Sequence, residues 1–469
     1  MRRFSSLSAL LSALILPFTS ACDSVPQRDI QPLPLSVNDR WILDAKNQTF
    51  AFVGVNWAGH EQTMLPEGLQ YQSIPNIVTK IAEIGFNSVR LTFATQMVDD
   101  IVEGGGDVTL KTTLQNALGP ENGTTVMNQI MKNNPGFNES TKRLEVWNAV
   151  ADELARQNIF LHLDNHVSKA GWCCKPEDGN SWFGDIHFNT SNWVRSLSFM
   201  AEHGKANWKS FSSMGLRNEI RDATIAPPSP TLEPMTWETW KTRMLQGANA
   251  VHNANPDILI FFGGRLLDVD ISAPVNGKHL SEPNFNFSIA EQPFRNKFIF
   301  EQHQYDQTGL VGDNCTSYVG VLNELGSNAV SISGPGTNRA PLVMGEWGHD
   351  QTDDSGVFKH NFRTCLMQFM IEQRINWMVW VIGGSYYIRE GTADRDEPWA
   401  LLDHTWSSYR GKESIKQLQK DMKQTYAAFN MSIPAAAKDV SSAASVRFSC
   451  SVAAATFVSM LVTVLAVSL

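Results

Sequence analysis

From Val37 to Asn430 the chain alternates short apolar runs with stretches of helical period. Eight runs read as buried strands: Phe50–Val55, Ser88–Phe93, Ile159–Leu163, Ser213–Arg217, Ile258–Phe262, Phe298–Gln302, Leu342–Gly345 and Met378–Ile382. Helical patterns fall between them at Ile74–Ile84, Leu144–Gln157, Asn192–His203, Trp237–Asn253, Tyr318–Leu325, Val357–Glu372 and Lys412–Phe429. The link from Leu266 to Lys297 carries Pro, Asn and Gly and predicts no helix. This alternation predicts an α/β chain with one (β/α)8 TIM barrel domain over residues 37–430. A doubly wound open sheet is the rival, and it wants a Gly-x-Gly-x-x-Gly turn that opens a helix. Gly104-Gly105-Gly106 lacks that spacing and reads as a turn in a long loop. The stretch from Met97 to Arg143 exceeds an ordinary connection, so it is expected to be a βα loop that shapes a cleft.

Outside the barrel the pattern changes. Arg2 and Arg3 precede an apolar run from Leu7 to Leu16, then Pro17 and the small residues Thr19-Ser20-Ala21. Residues 1–21 are expected to be a secretory signal peptide, too short to span a bilayer. At the other end a spacer, 431–451, contains Ser441-Ser442-Ala443-Ala444, and residues 452–469 carry no charge. Small residues, spacer and apolar tail fit a GPI-attachment signal, with a plain membrane anchor as the alternative. The expected location is the cell surface or cell wall. Sequons at Asn47, Asn122, Asn138, Asn189, Asn286, Asn314 and Asn430 agree with secretion.

Of the 469 residues, 42% are apolar, which excludes global disorder. The formal charge of −9, without a basic cluster, argues against nucleic acid as a partner. The 14 tryptophans suit a large core or the flat faces of sugars. With Cys22 at the cleavage boundary and Cys450 in the tail, Cys173, Cys174, Cys315 and Cys365 remain as an even set for disulfides. Adjacent Cys173 and Cys174 are poorly placed to bond each other, so each is expected to reach one of the distant two. A zinc site would want paired Cys-x-x-Cys spacing, which is missing.

A barrel carries its chemistry at the C-terminal ends of its strands. The polar residues there are Arg90, His166, Asn218, Glu219, His303, Tyr305 and Glu346, with Trp380 on the last strand. Glu219 and Glu346 each follow an apolar strand, where a charge needs a partner. Paired carboxylates on a secreted barrel suggest glycoside hydrolysis, one acid protonated and the other ionised. Arg90 is expected to hold Glu346 ionised, while a partly desolvated Glu219 keeps its proton. His162, Asp164 and His166 share one face of a strand, but the outer two stand roughly 13 Å apart along it, too far for one ion. His166 then reaches the rim while His162 and Asp164 fill the barrel. No metal or cofactor is expected, and no Gly-x-Ser-x-Gly elbow supports a serine hydrolase.

Together Arg90, His166, Asn218-Glu219, His303-x-Tyr305, Glu346 in Met-Gly-Glu-Trp-Gly, and Trp380 resemble glycoside hydrolase family 5, the cellulase family. The resemblance spans Val53 to Leu402. Gly171-Trp172-Cys173-Cys174, Leu216-Arg217-Asn218-Glu219 and Gly384-Ser385-Tyr386-Tyr387 look closer to a cellulase-like eukaryotic branch with poorly defined substrates. It implies a retaining double displacement with Glu346 as nucleophile and Glu219 as acid/base. It further implies Asn218 on the sugar 2-OH, Tyr305 orienting Glu346, His303 on Glu219 or a nearby hydroxyl, and Trp380 as the floor. Trp57, Trp347 and Trp399 are further subsite candidates. Ile220 stands where the family's common pattern has Pro. The carboxyl separation expected for retention is ~5–5.5 Å. The expected partner is a β-linked oligo- or polysaccharide, met by a monomeric endo-β-glucanase. A carbohydrate-binding protein without turnover and a wall transglycosylase are the alternatives.

Overall fold

The computed structural model describes residues 32–306, 314–330, 337–354 and 356–438. The expected signal peptide and tail, with Cys22, Cys450, Ser441 and Ser442, lie outside the described residues. Eight parallel strands close into a barrel: β1 Val53–Trp57, β2 Ser88–Ala94, β3 Phe160–Val167, β4 Phe211–Gly215, β5 Leu259–Phe262, β6 Phe298–Gln304, β7 Leu342–Trp347 and β8 Asn376–Val379. Every residue of these strands is buried. That explains why they read as unbroken apolar runs, since helices cover one face and the barrel interior the other. The described structure is thus the expected (β/α)8 barrel in one domain.

Helix Ile74–Ile84 shows how the intervening pattern works. Ser73 caps its N-terminus by accepting from the Asn76 N–H, and Gly85 ends it at φ 113°. Ile74, Ile77, Val78 and Ile81 form its buried stripe.

Three differences from the sequence expectation have local causes. Phe50 belongs to a small antiparallel sheet, Ser36–Asn38, Trp41–Leu43 and Thr49–Phe50, so β1 starts only at Val53. That sheet plugs the barrel bottom, where Ile42, Phe50, Phe52, Phe160, Phe261, Val343 and Met378 share an apolar cluster. The supposed long loop after β2 is mostly helical, with Thr95–Glu103, Leu110–Leu118 and Pro120–Asn133. The Thr109 cap and Pro120 in the first turn of its helix start these helices, whose few buried apolar residues give a weak helical period. Among the described residues, none that lines the cleft around Glu219 and Glu346 comes from this segment. Finally, residues 431–438 of the expected spacer pack back on the barrel: Lys438 N–H donates to Glu83 O at 2.8 Å.

The cysteine pairing also corrects the expectation. Cys173 bonds Cys174, and Cys315 bonds Cys365. The peptide between the adjacent pair is cis. The other bridge ties helix Cys315–Glu324 to helix Asn361–Gln373 across 50 residues. All seven sequon asparagines are exposed.

Closing a loop of that length restricts the unfolded chain strongly. We therefore expect Cys315→Ser/Cys365→Ser to lower the unfolding free energy by roughly 4 kcal/mol, measured by denaturant titration.

Candidate active site

The strands bring their polar residues into the upper half of the barrel, above the apolar plug. Arg90 on β2 is fully buried and sits at the centre. Its Nη1 donates to Glu346 Oε1 at 2.7 Å and Asn56 Oδ1 at 2.9 Å. Its Nη2 reaches Asp164 Oδ1 at 3.0 Å and Asn218 Oδ1 at 2.8 Å, and its Nε reaches Glu301 Oε1 at 3.1 Å. One guanidinium thus meets three carboxylates from three other strands. His303 is the second hub, with Nδ1 at 3.1 Å from Glu219 Oε1 and Nε2 at 3.4 Å from Glu301 Oε1. Gly345 makes room for this arrangement, because a Cβ there would overlap the Glu301 carboxylate.

Burial and charge pull these groups in different directions. Burial pushes Glu346 up to about 7, outweighing His303, Arg90 and the Tyr305 hydroxyl. The expectation that Arg90 alone keeps Glu346 ionised is therefore too simple: desolvation is the larger effect in the free protein. Burial also opposes ionisation of Glu301, but Arg90 and His303 overcome it and bring that carboxyl to about 2. Burial raises Asp268 well above the usual range. For His303 burial works against the charged form, yet Glu346, with hydrogen bonds to Glu219 and Glu301, lifts the imidazole well above its ordinary value. Tyr305 stays a phenol, held up by burial and by Glu346.

The eight sequence-identified residues converge on one mouth. His166, Glu219, Tyr305, Glu346 and Trp380 line a cavity of about 410 Å³, while Arg90, Asn218 and His303 support it from below. One oxygen each of Glu219 and Glu346 and one nitrogen of His303 lie within 4.8 Å of one another. Tyr305 Oη donates to Glu346 Oε2 at 2.8 Å. Glu219 follows β4 by four residues and has φ 49°, a left-handed backbone rare for a non-glycine residue. Its N–H donates to Asp268 Oδ2 at 2.6 Å. His166 Nδ1 pairs with Asp164 Oδ2 at 2.8 Å, and its ring stacks on Trp380 at 5.7 Å.

Trp399 also lines the cavity, whereas Trp57 and Trp347 are core: both are buried, against Trp406 and Trp377 respectively. Sequence reasoning missed Glu301, although it sits two residues before His303 and so on the same strand face. It missed Asp268, which no strand pattern marks. It also missed Arg389 and Glu397 at the cavity wall. These follow β8 through a hairpin, β9 Ser385–Arg389 and β10 Thr392–Asp396. Arg389 Nη1 donates to Glu397 at 2.8 Å and its guanidinium lies 3.2 Å from the Trp172 ring centre. His162, Asp164 and Glu301 bring ligand atoms within 4.8 Å of one another. That closeness arises across the barrel interior, where Glu301 of β6 faces β3, and Arg90 already faces both carboxylates.

Residues 43–385 match the cellulase family, glycosyl hydrolase family 5. The chain belongs to glycosyl hydrolase family 5. A glycosyl hydrolase 5 family protein of Chamaecyparis obtusa is 32% identical over 440 residues, covering 89% of this chain and 70% of that protein. Among solved structures, an endocellulase of Pyrococcus horikoshii in complex with cellotetraose aligns with a TM-score of 0.59 at 16% identity, over 84% of this chain and 100% of that one. The catalytic domain of the major endoglucanase from Xanthomonas campestris pv. campestris gives 0.59 at 15% identity, over 84% of this chain and 99% of its own. These distant structures share the barrel fold with this family 5 chain.

Arg90 holds the buried acids of this family 5 site together. Arg90→Met strands three carboxylates in a low-dielectric interior, so we expect a loss of about 3–5 kcal/mol in unfolding free energy at neutral pH, read by denaturant titration.

Proposed function

We propose that this protein is a retaining glycoside hydrolase that cleaves β-linked glycans by double displacement. The observation that carries this reading is the approach of Glu219 and Glu346, whose nearest oxygens lie within 4.8 Å. Inverting enzymes hold their carboxyl groups ~6.5–9.5 Å apart to admit a water between acid and base, whereas retaining ones need only ~5–5.5 Å.

In the first step Glu346 attacks the anomeric carbon, the glycosidic C–O bond breaks, and Glu219 gives its proton to the departing oxygen. In the second, Glu219 takes a proton from water, whose oxygen bonds to the anomeric carbon as the Glu346 ester breaks. Tyr305 holds Glu346 Oε2, leaving Oε1 on Arg90. His303 connects the two acids through its contact with Glu219 and its charge beside Glu346. Asn218 spends its oxygen on Arg90, and its Nδ2 faces only the weak sulfur acceptors of Cys173 and Cys174, each at 3.6 Å, so a sugar hydroxyl is the stronger partner for it. Trp380 offers a ring face to the sugar.

We place the protein outside the cytosol, at the cell surface. Both disulfides support this reading. So do the exposed sequon asparagines: Asn138, Asn189 and Asn314 use Oδ1 to accept backbone N–H groups, which leaves Nδ2 for a glycan.

The test is an aryl β-cellobioside with NMR of the first product. The β-anomer appears first if the reading holds; the α-anomer ends it. Glu346→Gln abolishes turnover with an unchanged melting curve, and Glu219→Gln slows it roughly 10²–10⁴-fold.

The nucleophile must be a carboxylate, and burial raises Glu346 to about 7. Activity therefore rises with pH through that range: kcat/KM of the free enzyme shows an acidic limb centred near pH 7, a property of the coupled cluster rather than of one residue. A pH–rate profile flat from pH 5 to 8 contradicts it.

A further inference from the structure

Around Trp380 the side chains that line the cleft touch one another in a nearly closed circuit. The Cys173 and Cys174 sulfurs lie within 4.8 Å of a Glu219 oxygen. Trp172 precedes them in the chain, and the Arg389 guanidinium lies 3.2 Å from its ring centre. Arg389 Nη1 donates to Glu397 Oε2 at 2.8 Å, and Glu397 Oε1 accepts the Trp399 N–H at 3.0 Å. The Trp399 ring meets Tyr305 edge-on at 5.5 Å, and the Tyr305 hydroxyl closes the circuit on Glu346 at 2.8 Å. Three described lining residues fall outside it. His166 stacks on Trp380. Leu267 bonds to the residue after Glu219, and Asp306 follows Tyr305.

The part of this wall that carries Arg389 is firmly held. The hairpin of β9 and β10 starts beyond β8 and reaches the loop after β3, although β1 and β2 stand between those strands in the barrel. On the loop after β1, Tyr387 N–H donates to Glu67 Oε2 at 2.6 Å and Tyr387 Oη to Pro66 O at 3.0 Å. On the loop after β3, Lys175 Nζ pairs with Glu390 Oε1 at 2.6 Å, and the Trp172 ring packs on Tyr386 at 5.7 Å. His60 and Glu61, also after β1, are fully buried, so they offer a glycan no groove. A second hollow lined by Gln62, Gln96 and Lys169 shares no described lining residue with the cleft.

A glycosidase that cuts inside a chain needs two openings, one for each side of the broken bond. The contacts here leave one, past Leu267 and Asp306, next to Glu219. This step rests on the proposed glycosidase reading, in which Glu219 protonates the leaving oxygen. We infer that the protein works from chain ends: the pocket takes one terminal, non-reducing sugar and releases it as a monosaccharide, with Arg389 and Glu397 meeting its outer hydroxyls. This departs from the endo action expected from the sequence. Glu397 is only 3% exposed. Its Oε2 accepts from Tyr386 and Arg389 and its Oε1 from Trp399, so Oε1 keeps a lone pair for a hydroxyl. A buried ion pair of this kind disfavours an ether or a further sugar in place of that hydroxyl, because its polar groups lose water without gaining a partner. In each turnover the C1–O bond of the terminal residue breaks. Glu219 protonates the oxygen left on the shortened chain, and the oxygen of water ends on C1 of the freed sugar.

The first test digests cellopentaose whose reducing end has been reduced to the alditol. We expect glucose as the first product; cellobiose or cellotriose at early times overturns the inference. The second compares an aryl β-glucoside with its 4-O-methyl ether. We expect the ether to lose roughly tenfold or more in kcat/KM. A ratio near one in the unaltered protein overturns the inference, and this comparison needs no variant. Arg389→Ala with an unchanged melting curve brings the ratio towards one; a ratio it does not move removes Arg389 from the site. Calorimetry on Glu346→Gln separates the two levels of the argument. Tighter binding of methyl β-glucoside than of its 4-O-methyl ether supports the closed pocket even if nothing turns over, an outcome in which only the glycosidase reading fails. Equal binding of the two overturns the pocket.

Discussion

A single guanidinium binds the upper barrel together. Arg90 comes from β2, yet it joins Asn56 of β1, Asp164 of β3, Glu301 of β6 and Glu346 of β7. In water such pairs contribute little. Here every partner is nearly dry, because the Phe-rich plug closes the barrel below and the strands leave no path for solvent. Desolvation is costly for each ion, and only a fork that addresses several acceptors in fixed directions offsets it. A lysine ammonium would present a point charge to the same four strands. The geometry of the candidate nucleophile therefore depends on contacts made far around the barrel, and Glu346 cannot shift without disturbing Glu301 and Asp164.

The cluster also holds more acid than base. Asp164, Glu219, Asp268, Glu301 and Glu346 stand around Arg90 and His303. The excess is met by protonation rather than by a third cation. Glu301, paired with both positive groups, is driven down to about 2, and burial sends Asp268 and Glu346 upward. His303 stays charged because it touches acids on both ring nitrogens.

How much of this was legible in the sequence depended on local pattern. Strands buried on both faces announce themselves as apolar runs, and polar residues just past them mark the catalytic face. Glu301 escaped notice because it lies inside a strand, where a charge looks like an interruption rather than a site. Asp268 sits in a loop with no periodicity to place it. The helices at Leu110–Leu118 and Pro120–Asn133 bury only Leu110, Thr113 and Leu114, and Gly123, Met127 and Ile130, so their apolar stripes carry few residues. Trp57 and Trp399 look alike in sequence; only packing separates a ring against Trp406 from one that meets the cavity. The cysteine pairing failed because spacing arguments set aside a bridge between sequence neighbours, which Cys173 and Cys174 form.

Ile220 in place of the family's common Pro acquires a meaning in this setting. Proline disfavours α-type backbone in the residue before it and pushes that residue towards extended conformations. Glu219 adopts φ 49°, in the left-handed region, and its N–H then points at Asp268 Oδ2, 2.6 Å away. Ile220 is itself fully buried, and its carbonyl accepts from Leu267. The residue after the acid thus leaves room for a turned Glu219, and the turn couples that acid to the loop carrying Leu267. A departure that looks neutral for the chemistry thus falls where hydrogen bonds join the Glu219 turn to the loop carrying Leu267 and Asp268, so this position sets how that carboxyl is held in the cleft.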